Sequence, residues 1–287
     1  VEDNQIKGPS HLYTGLQLRM ETACSRTYIA TDASMGREVF IKAILVPEDP
    51  AEERHVLVTA KREVQAMMQI GEGTYHVPTV YDYFHDKKAR NFYIVMQRIL
   101  GNALSKQMEK FERDEDFLRV MIDVCGVLVL MNNNKNGYHH KDLKPDNIMV
   151  GTDGTGYLID FGSAADYTRK VEGTACYRAP EMSQRMRQTT RARADVFSMG
   201  VILYEYFTRH LPIMGARKDY WENRARTAWE VFKEPKELNA QLPPQLNALI
   251  VKCMQLDSTK RGTVFDLKRE LERLCNRRRC SYDRAHR

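Results

Sequence analysis

The amino-acid sequence predicts an α+β chain in two unequal parts, a small β-rich one followed by a larger helical one. Three observations carry that expectation. Residues 27–45, TYIATDASMGREVFIKAIL, place β-branched and aromatic residues on both sides of a Gly-bearing turn, the pattern of a β-hairpin. Residues 79–99, TVYDYFHDKKARNFYIVMQRI, look like two more strands. Past Gly101 the character changes, and residues 114–137 and 193–208 hold helices apolar nearly all round, hence buried.

Between the strand pairs, residues 49–70 begin with Asp and Glu and carry apolar residues at helical spacing, which predicts a helix with a charge-matched N-terminus. In the second part, the apolar triplets at 148–150 and 157–159 flank the turn GTDGTG and read as two short strands. Shorter helical segments follow to about residue 275. The crossover between the parts falls near residues 97–102. No internal repeat or low-complexity tract interrupts this order.

Composition sets the outer limits. A chain of 287 residues can bury sizeable cores, and 43% hydrophobic with 29% charged residues is ordinary for a globular protein. No run of eighteen apolar residues occurs, which argues against a spanning helix. The chain opens on VEDNQIKGPS, without a Met or an apolar leader, as a trimmed fragment would. The net charge of +6 is concentrated in the C-terminal CNRRRCSYDRAHR, five arginines against one acidic residue. A solvated, partly frayed tail is one reading, and contact with acidic membrane lipid or an acidic partner is the other. No motif supports nucleic-acid recognition. The six cysteines show no metal-ligand pattern. Cys125 and Cys253 lie in apolar helical stretches as core residues, while Cys275 and Cys280 could bridge only in an oxidising compartment.

Chemistry concentrates in residues 138–160. YHHKDLKPDNIMV supplies Asp142, Lys144 and Asn147, and Asp160 opens the triplet Asp160-Phe161-Gly162. Phosphoryl transfer to a hydroxyl needs a carboxylate to orient and accept the proton, a cation near the transferring phosphate, and oxygen ligands for Mg²⁺. These four residues are that set.

Here the chain resembles the eukaryotic protein kinases. HKDLKPDN is similar to their catalytic loop, DFG to the magnesium-binding triplet and APE to the end of the activation segment. They stand in order, 18 residues from Asp142 to Asp160 and 21 from there to Glu181. The resemblance implies a bilobal kinase fold using ATP and Mg²⁺, with Asp142 as base, Lys144 near the γ-phosphate, and Asn147 and Asp160 on the metal. It implies Lys42 as the phosphate-binding lysine and Glu63, 21 residues on, as its partner. VMQRIL resembles the hinge, with Met96 as gatekeeper and adenine bonded by backbone at Gln97 and Ile99. Asp195 matches the residue that bonds the catalytic-loop backbone, and Arg261 the partner of Glu181. Lys144 with Thr174 is the serine/threonine pattern, so the implied partner is a protein substrate. The implied divisions are an atypical segment at 1–26, an N-lobe at 27–97, a C-lobe at 98–275 and a basic tail at 276–287.

The departures are as informative. The family's G-x-G-x-x-G should fall on METACSRT, but no glycine occurs between Gly15 and Gly36. Without glycines the backbone cannot approach phosphates closely. In residues 12–24, Leu12, Leu16, Met20 and Cys24 recur every four residues as on a helix, while Leu16, Leu18 and Met20 alternate as on a strand. The missing glycines tip the expectation towards a partly helical or irregular segment over the phosphate site. Lys141 replaces the common arginine, and the Asp160–Glu181 segment is short, so activation by loop phosphorylation is not expected, with Tyr167 and Thr168 as the sites left open to it. An intact polar set without a glycine loop resembles the With-No-Gly-loop kinases of coccidian parasites, a group that includes a bradyzoite pseudokinase. That resemblance implies secretion into the parasitophorous vacuole and membrane-associated substrates there. Two readings therefore stand: an active serine/threonine kinase, or a pseudokinase acting as a binding module.

Overall fold

The computed structural model describes residues 4–134, 137–165, 176–183, 193–212 and 233–285. The chain divides into two compact units, Val1–Leu100 and Gly101–Arg287.

The first unit is one antiparallel sheet of six strands with a helix. The strands are β1 (Gln5–Lys7), β2 (Leu12–Glu21), β3 (Ser25–Asp32), β4 (Arg37–Leu45), β5 (Val80–Asp86) and β6 (Asn91–Gln97), in the order β1-β2-β3-β4-β6-β5. Alternation sends Ala30, Val39, Ile41, Ala43, Tyr93 and Val95 to one face, where they form the core with Ile6, Tyr13 and Phe84. Each large apolar side chain buried this fully contributes about 1.5–3 kcal/mol. The sheet curls on itself, since the Tyr13 hydroxyl on β2 donates to Asp82 Oδ2 on β5, at the other end of the strand order, at 2.9 Å. Burial and the Asp82 carboxylate push the Tyr13 hydroxyl far above its usual range. Asp32 shapes the β3–β4 turn by accepting the N–H groups of Ser34 and Met35, and Gly36 supplies the left-handed backbone at φ 63°. Burial works against the Asp32 charge, yet the hydrogen bond and charge of His11 and the two backbone donors hold its carboxyl below the usual range.

The strand β2 corrects the expectation of a helical or irregular N-terminal segment. Residues 12–21 form an antiparallel hairpin with β3, interrupted between Thr14 and Gln17 and between Leu18 and Met20 by register shifts. Those shifts interrupt the two-residue alternation, and Leu18 and Met20 are exposed.

Helix α1 (Pro50–Gly71) follows β4. Asp49 caps it by accepting the N–H groups of Ala51 and Glu52, with Pro50 in the first turn and Glu52 and Glu53 behind it. Its buried side includes Ala60, Glu63, Val64, Met67 and Ile70.

The second unit is mainly helical, with α2 (Asp114–Asn133), α3 (Gly162–Ala165), α4 (Ala194–Thr208), α5 (Pro235–Leu238), α6 (Pro244–Cys253) and α7 (Val264–Ala285). Its small sheet joins β7 (Gly101–Ala103), β8 (Ile148–Gly151) and β9 (Gly156–Leu158) in that order. Three acidic residues open α2, where they complement the helix dipole. Nearly every residue of α4 is buried, as its unbroken apolar run requires. The β8–β9 hairpin sits tight against α2: the Gly156 N–H donates to Asp123 Oδ2 at 2.9 Å, and a Cβ at Gly156 would meet the Val120 carbonyl at 2.8 Å. Only glycine fits there. Cys125 and Cys253 are buried, and burial pushes the Cys253 thiol up to about 12, so both are packing residues. Cys275 is a free buried thiol beside the Glu115 carbonyl, and the side chain of Cys280 lies outside the described residues. Helix α7 runs to Ala285, ten residues past the expected end near 275, because no Gly or Pro interrupts it.

Candidate active site

In the first unit, β4 carries Lys42 between Thr27 on β3 and Ile94 on β6. Alternation turns it to the face opposite the core, where Glu63 of α1 meets it with Nζ and Oε1 2.7 Å apart. Glu63 is 2% exposed. A carboxylate so buried requires its partner, because a stranded charge costs several kcal/mol. Met96 is buried near the end of β6, Gln97 ends that strand, and Ile99 follows it, half-buried. The Gln97 N–H donates to the Thr79 carbonyl at 2.8 Å.

In the second unit, a buried side chain outside the loop at 138–147 fixes its backbone. Asp195, in the first turn of α4, accepts the N–H of His140 on Oδ2 and of Lys141 on Oδ1, both at 2.9 Å. Lys141 takes a left-handed backbone, φ 65°, to present both donors. Lys144 Nζ is 3.2 Å from Asp142 Oδ2. Asn147, in a short 3₁₀ turn opened by Pro145, donates its amide to the Asp142 carbonyl at 2.8 Å and to Asp142 Oδ2 at 3.3 Å. These bonds fix the Asn147 amide so that its oxygen is the end left for a ligand. The Ile159 N–H donates to the Asn147 carbonyl at 2.9 Å, and the next residue is Asp160, exposed and left-handed at φ 62°. Phe161 is fully buried and meets the His140 ring edge-to-face at 5.8 Å. The expected Asp142, Lys144 and Asn147 are thus brought together, and Asp160 follows directly on the residue bonded to Asn147.

The chemistry of these donors fits a hard metal ion. Among the described residues no three His, Cys, Asp or Glu side chains cluster as a cage. An amide oxygen and a carboxylate, both hard oxygen donors, suit Mg²⁺, which keeps waters and phosphate oxygens for its remaining positions.

A second group anchors residues 176–183. Arg261, 2% exposed, grips Glu181 through both terminal nitrogens, with Nη2 2.7 Å from Oε2. Its other N–H groups donate to the carbonyls of Gln255, Arg193 and Leu256, and its guanidinium lies over the Phe197 ring at 4.9 Å. Every donor of the buried cation is used. The Tyr177 hydroxyl donates to Glu205 Oε2 at 2.7 Å, and the Ser198 hydroxyl donates to the Tyr177 carbonyl at 2.8 Å. Burial pushes the Glu205 carboxyl upward, and burial with Glu205 pushes the Tyr177 hydroxyl far upward. The Glu181–Arg261 pair is as expected, whereas the Tyr177–Glu205 contact was not read from the sequence. Thr174, Thr168 and Tyr167 lie outside the described residues.

The β2–β3 tip differs. The Thr22 hydroxyl accepts the N–H of Cys24 at 3.3 Å and of Ser25 at 3.0 Å, and the Thr22 N–H donates to the Ser25 carbonyl at 2.8 Å. These three backbone donors serve the turn itself. A further residue escaped the sequence reading: Phe40, two before Lys42, where the family's strand reads V-A-I-K and this chain reads Val39-Phe40-Ile41-Lys42.

Residues 22–271 match the family described as Protein kinase domain. A probable serine/threonine-protein kinase of Clostridium acetobutylicum is 29% identical over 240 residues, 79% of this chain and 34% of that protein. Another from Clostridium perfringens is 29% identical over 63% of this chain and 27% of its own length. The probable serine/threonine-protein kinase PknB of Corynebacterium glutamicum is 27% identical over 91% of this chain and 42% of its own. The chain therefore spans less than half the length of each of these relatives.

Proposed function

Because this chain belongs to the protein kinase family, with its α+β bilobal fold, we propose that it is a serine/threonine kinase transferring the γ-phosphate of MgATP to a protein hydroxyl. The observation that carries this reading is the Asp142–Lys144–Asn147 cluster, held in place by Asp195. In it, Asp142 orients the acceptor hydroxyl and takes its proton. Lys144, beside that carboxylate, supplies positive charge where the transferring phosphoryl group becomes more anionic. Asn147 and Asp160 would hold Mg²⁺, which neutralises phosphate charge when bound. Lys42, oriented by Glu63, would hold nucleotide phosphate. Gln97, whose N–H already serves Thr79, would offer adenine its carbonyl, and Ile99 its N–H.

One observation favours a second reading, a pseudokinase that binds rather than transfers. The β2–β3 tip has no glycine and spends the N–H groups of Cys24 and Ser25 on Thr22, so it gives phosphate little grip. Losing two such bonds costs on the order of 2–3 kcal/mol, about 100-fold in affinity. The same feature beside the intact polar set supports placement in the With-No-Gly-loop group. With that placement go secretion to a parasitophorous vacuole and protein substrates or binding partners at its membrane. The arginines after Cys275 would make a peripheral contact with acidic lipid there.

A thermal-shift titration with MgATP separates the two readings. Binding to the native state alone raises the melting temperature. A kinase should show a saturable, Mg²⁺-dependent rise at high ATP, and no rise at any concentration favours the pseudokinase.

A further inference from the structure

The face of the first sheet that carries Lys42 holds one continuous apolar row. Ile29 on β3 pairs with Phe40 on β4, Phe40 with Met96 on β6, and Met96 with Val80 on β5. Directly paired residues point to the same side, with Cβ atoms about 4.5–5.5 Å apart. Lys42 is two residues along β4 from Phe40, about 6.7 Å away on the same face. Ile29 is 9% and Met96 7% exposed, so Phe40, itself half-buried, stands between two packed side chains. Neither flank belongs to the core on the other face.

From this register we infer that Phe40 occupies the place of a nucleotide base and makes the chain a poor binder of purine nucleotides. The inference rests on the reading of Gln97 and Ile99 as base-binding and Lys42 as phosphate-binding. Gln97 directly follows Met96, and Met96 stands opposite Phe40. A ligand reaching from Gln97 to Lys42 must therefore cross Phe40. Where the family's V-A-I-K strand would offer a methyl group, this chain raises a phenyl ring. The ring fills the depth into which a flat base would settle. It supplies from within the sheet the apolar surface that a base would otherwise bring. The phosphate end of the ligand is untouched by this obstruction, because Lys42 and Glu63 keep their pairing.

The test compares two probes on the whole chain, MgATP and magnesium tripolyphosphate, which lacks a base. The wild-type protein should bind MgATP no more tightly than magnesium tripolyphosphate. Phe40→Ala should strengthen MgATP binding about tenfold or more and leave magnesium tripolyphosphate unchanged. Phe40→Val, which keeps a β-branched side chain in the strand, should give a smaller gain in the same direction if Phe40→Ala does not fold. Unchanged or weaker MgATP binding in a folded Phe40 variant overturns the inference, weaker binding meaning that the ring stacks on the base. Wild-type protein that binds MgATP far more tightly than tripolyphosphate overturns it as well. Failure of the kinase reading appears elsewhere: Phe40→Ala would gain MgATP affinity, yet Asp160→Asn in that background would leave the affinity unaltered.

Discussion

The loop around Asp142 and the tip around Thr22 are both turns held by a small polar side chain, with opposite results. In the first, the holding residue is Asp195, buried on α4 and 54 residues from Lys141. In the second it is Thr22 itself, two and three residues from the N–H groups it accepts. A turn held from a distance can turn its own side chains to chemistry. One held by its own hydroxyl spends its donors on itself. The kinase resemblance is strong in the first place and fails in the second for this reason.

The largest expected effect concerns what holds the unit that bears the loop. Arg261→Ala strands the buried Glu181 and removes five hydrogen bonds, at a cost of about 3–5 kcal/mol. At about 2–4 °C per kcal/mol for a chain this size, calorimetry should show melting lowered by roughly 6–20 °C. Asp142→Asn keeps the shape of the side chain and should lower stability far less than Arg261→Ala. If Asp142→Asn were the more destabilising, the loop would be scaffold, and the pseudokinase reading would gain.

A smaller effect belongs to the tip. Thr22→Val leaves the Cys24 and Ser25 N–H groups without their acceptor, and the exposed turn should lose about 0.5–1.5 kcal/mol in a urea titration. Amide exchange at Cys24 and Ser25 should accelerate while that at His140 and Lys141 does not change. Equal acceleration at both places would dissolve the contrast between them.

The smallest effect is one of pH. Burial raises the Glu205 carboxyl above its usual 4.5, so the folded state favours the protonated form. Its contribution to stability is full below the unfolded value and declines as pH rises through the folded one. Glu205→Gln, which can still accept from Tyr177, should flatten the stability profile above pH 4.5 without loss at neutral pH. Asp32 has the opposite sign, its depressed carboxyl withdrawing stability as pH falls. A profile unchanged by Glu205→Gln would mean that Glu205 stays charged where it meets Tyr177.

The same contrast marks what the sequence made legible. The helix at 50–71 was visible because Asp49, Pro50 and the acidic first turn announce its start. Strands β3 and β4 were visible because they pair without a register shift. Strand β2 was not, since two register shifts interrupt its alternation and Leu18 and Met20 are exposed, and β1 has only three residues. Within the site, Lys42, Glu63, Asp142, Asn147 and Arg261 were legible because each sits in a local motif of fixed spacing. Glu205 was not, because it owes its partner to the packing of α4. Phe40 could have been read from Val39-Phe40-Ile41-Lys42, a one-residue departure inside an otherwise familiar strand.

The central claim, phosphoryl transfer by the Asp142 cluster, is tested most directly by labelled γ-phosphate. The protein would be incubated with Mg²⁺, ATP in the millimolar range and a generic acceptor rich in Ser and Thr, beside Asp160→Asn. Wild type should label the acceptor, and the variant should lose at least about 100-fold of that rate, the scale of a lost electrostatic contribution to the transition state. Equal labelling by the two, or none by wild type at any ATP concentration, would contradict the kinase reading.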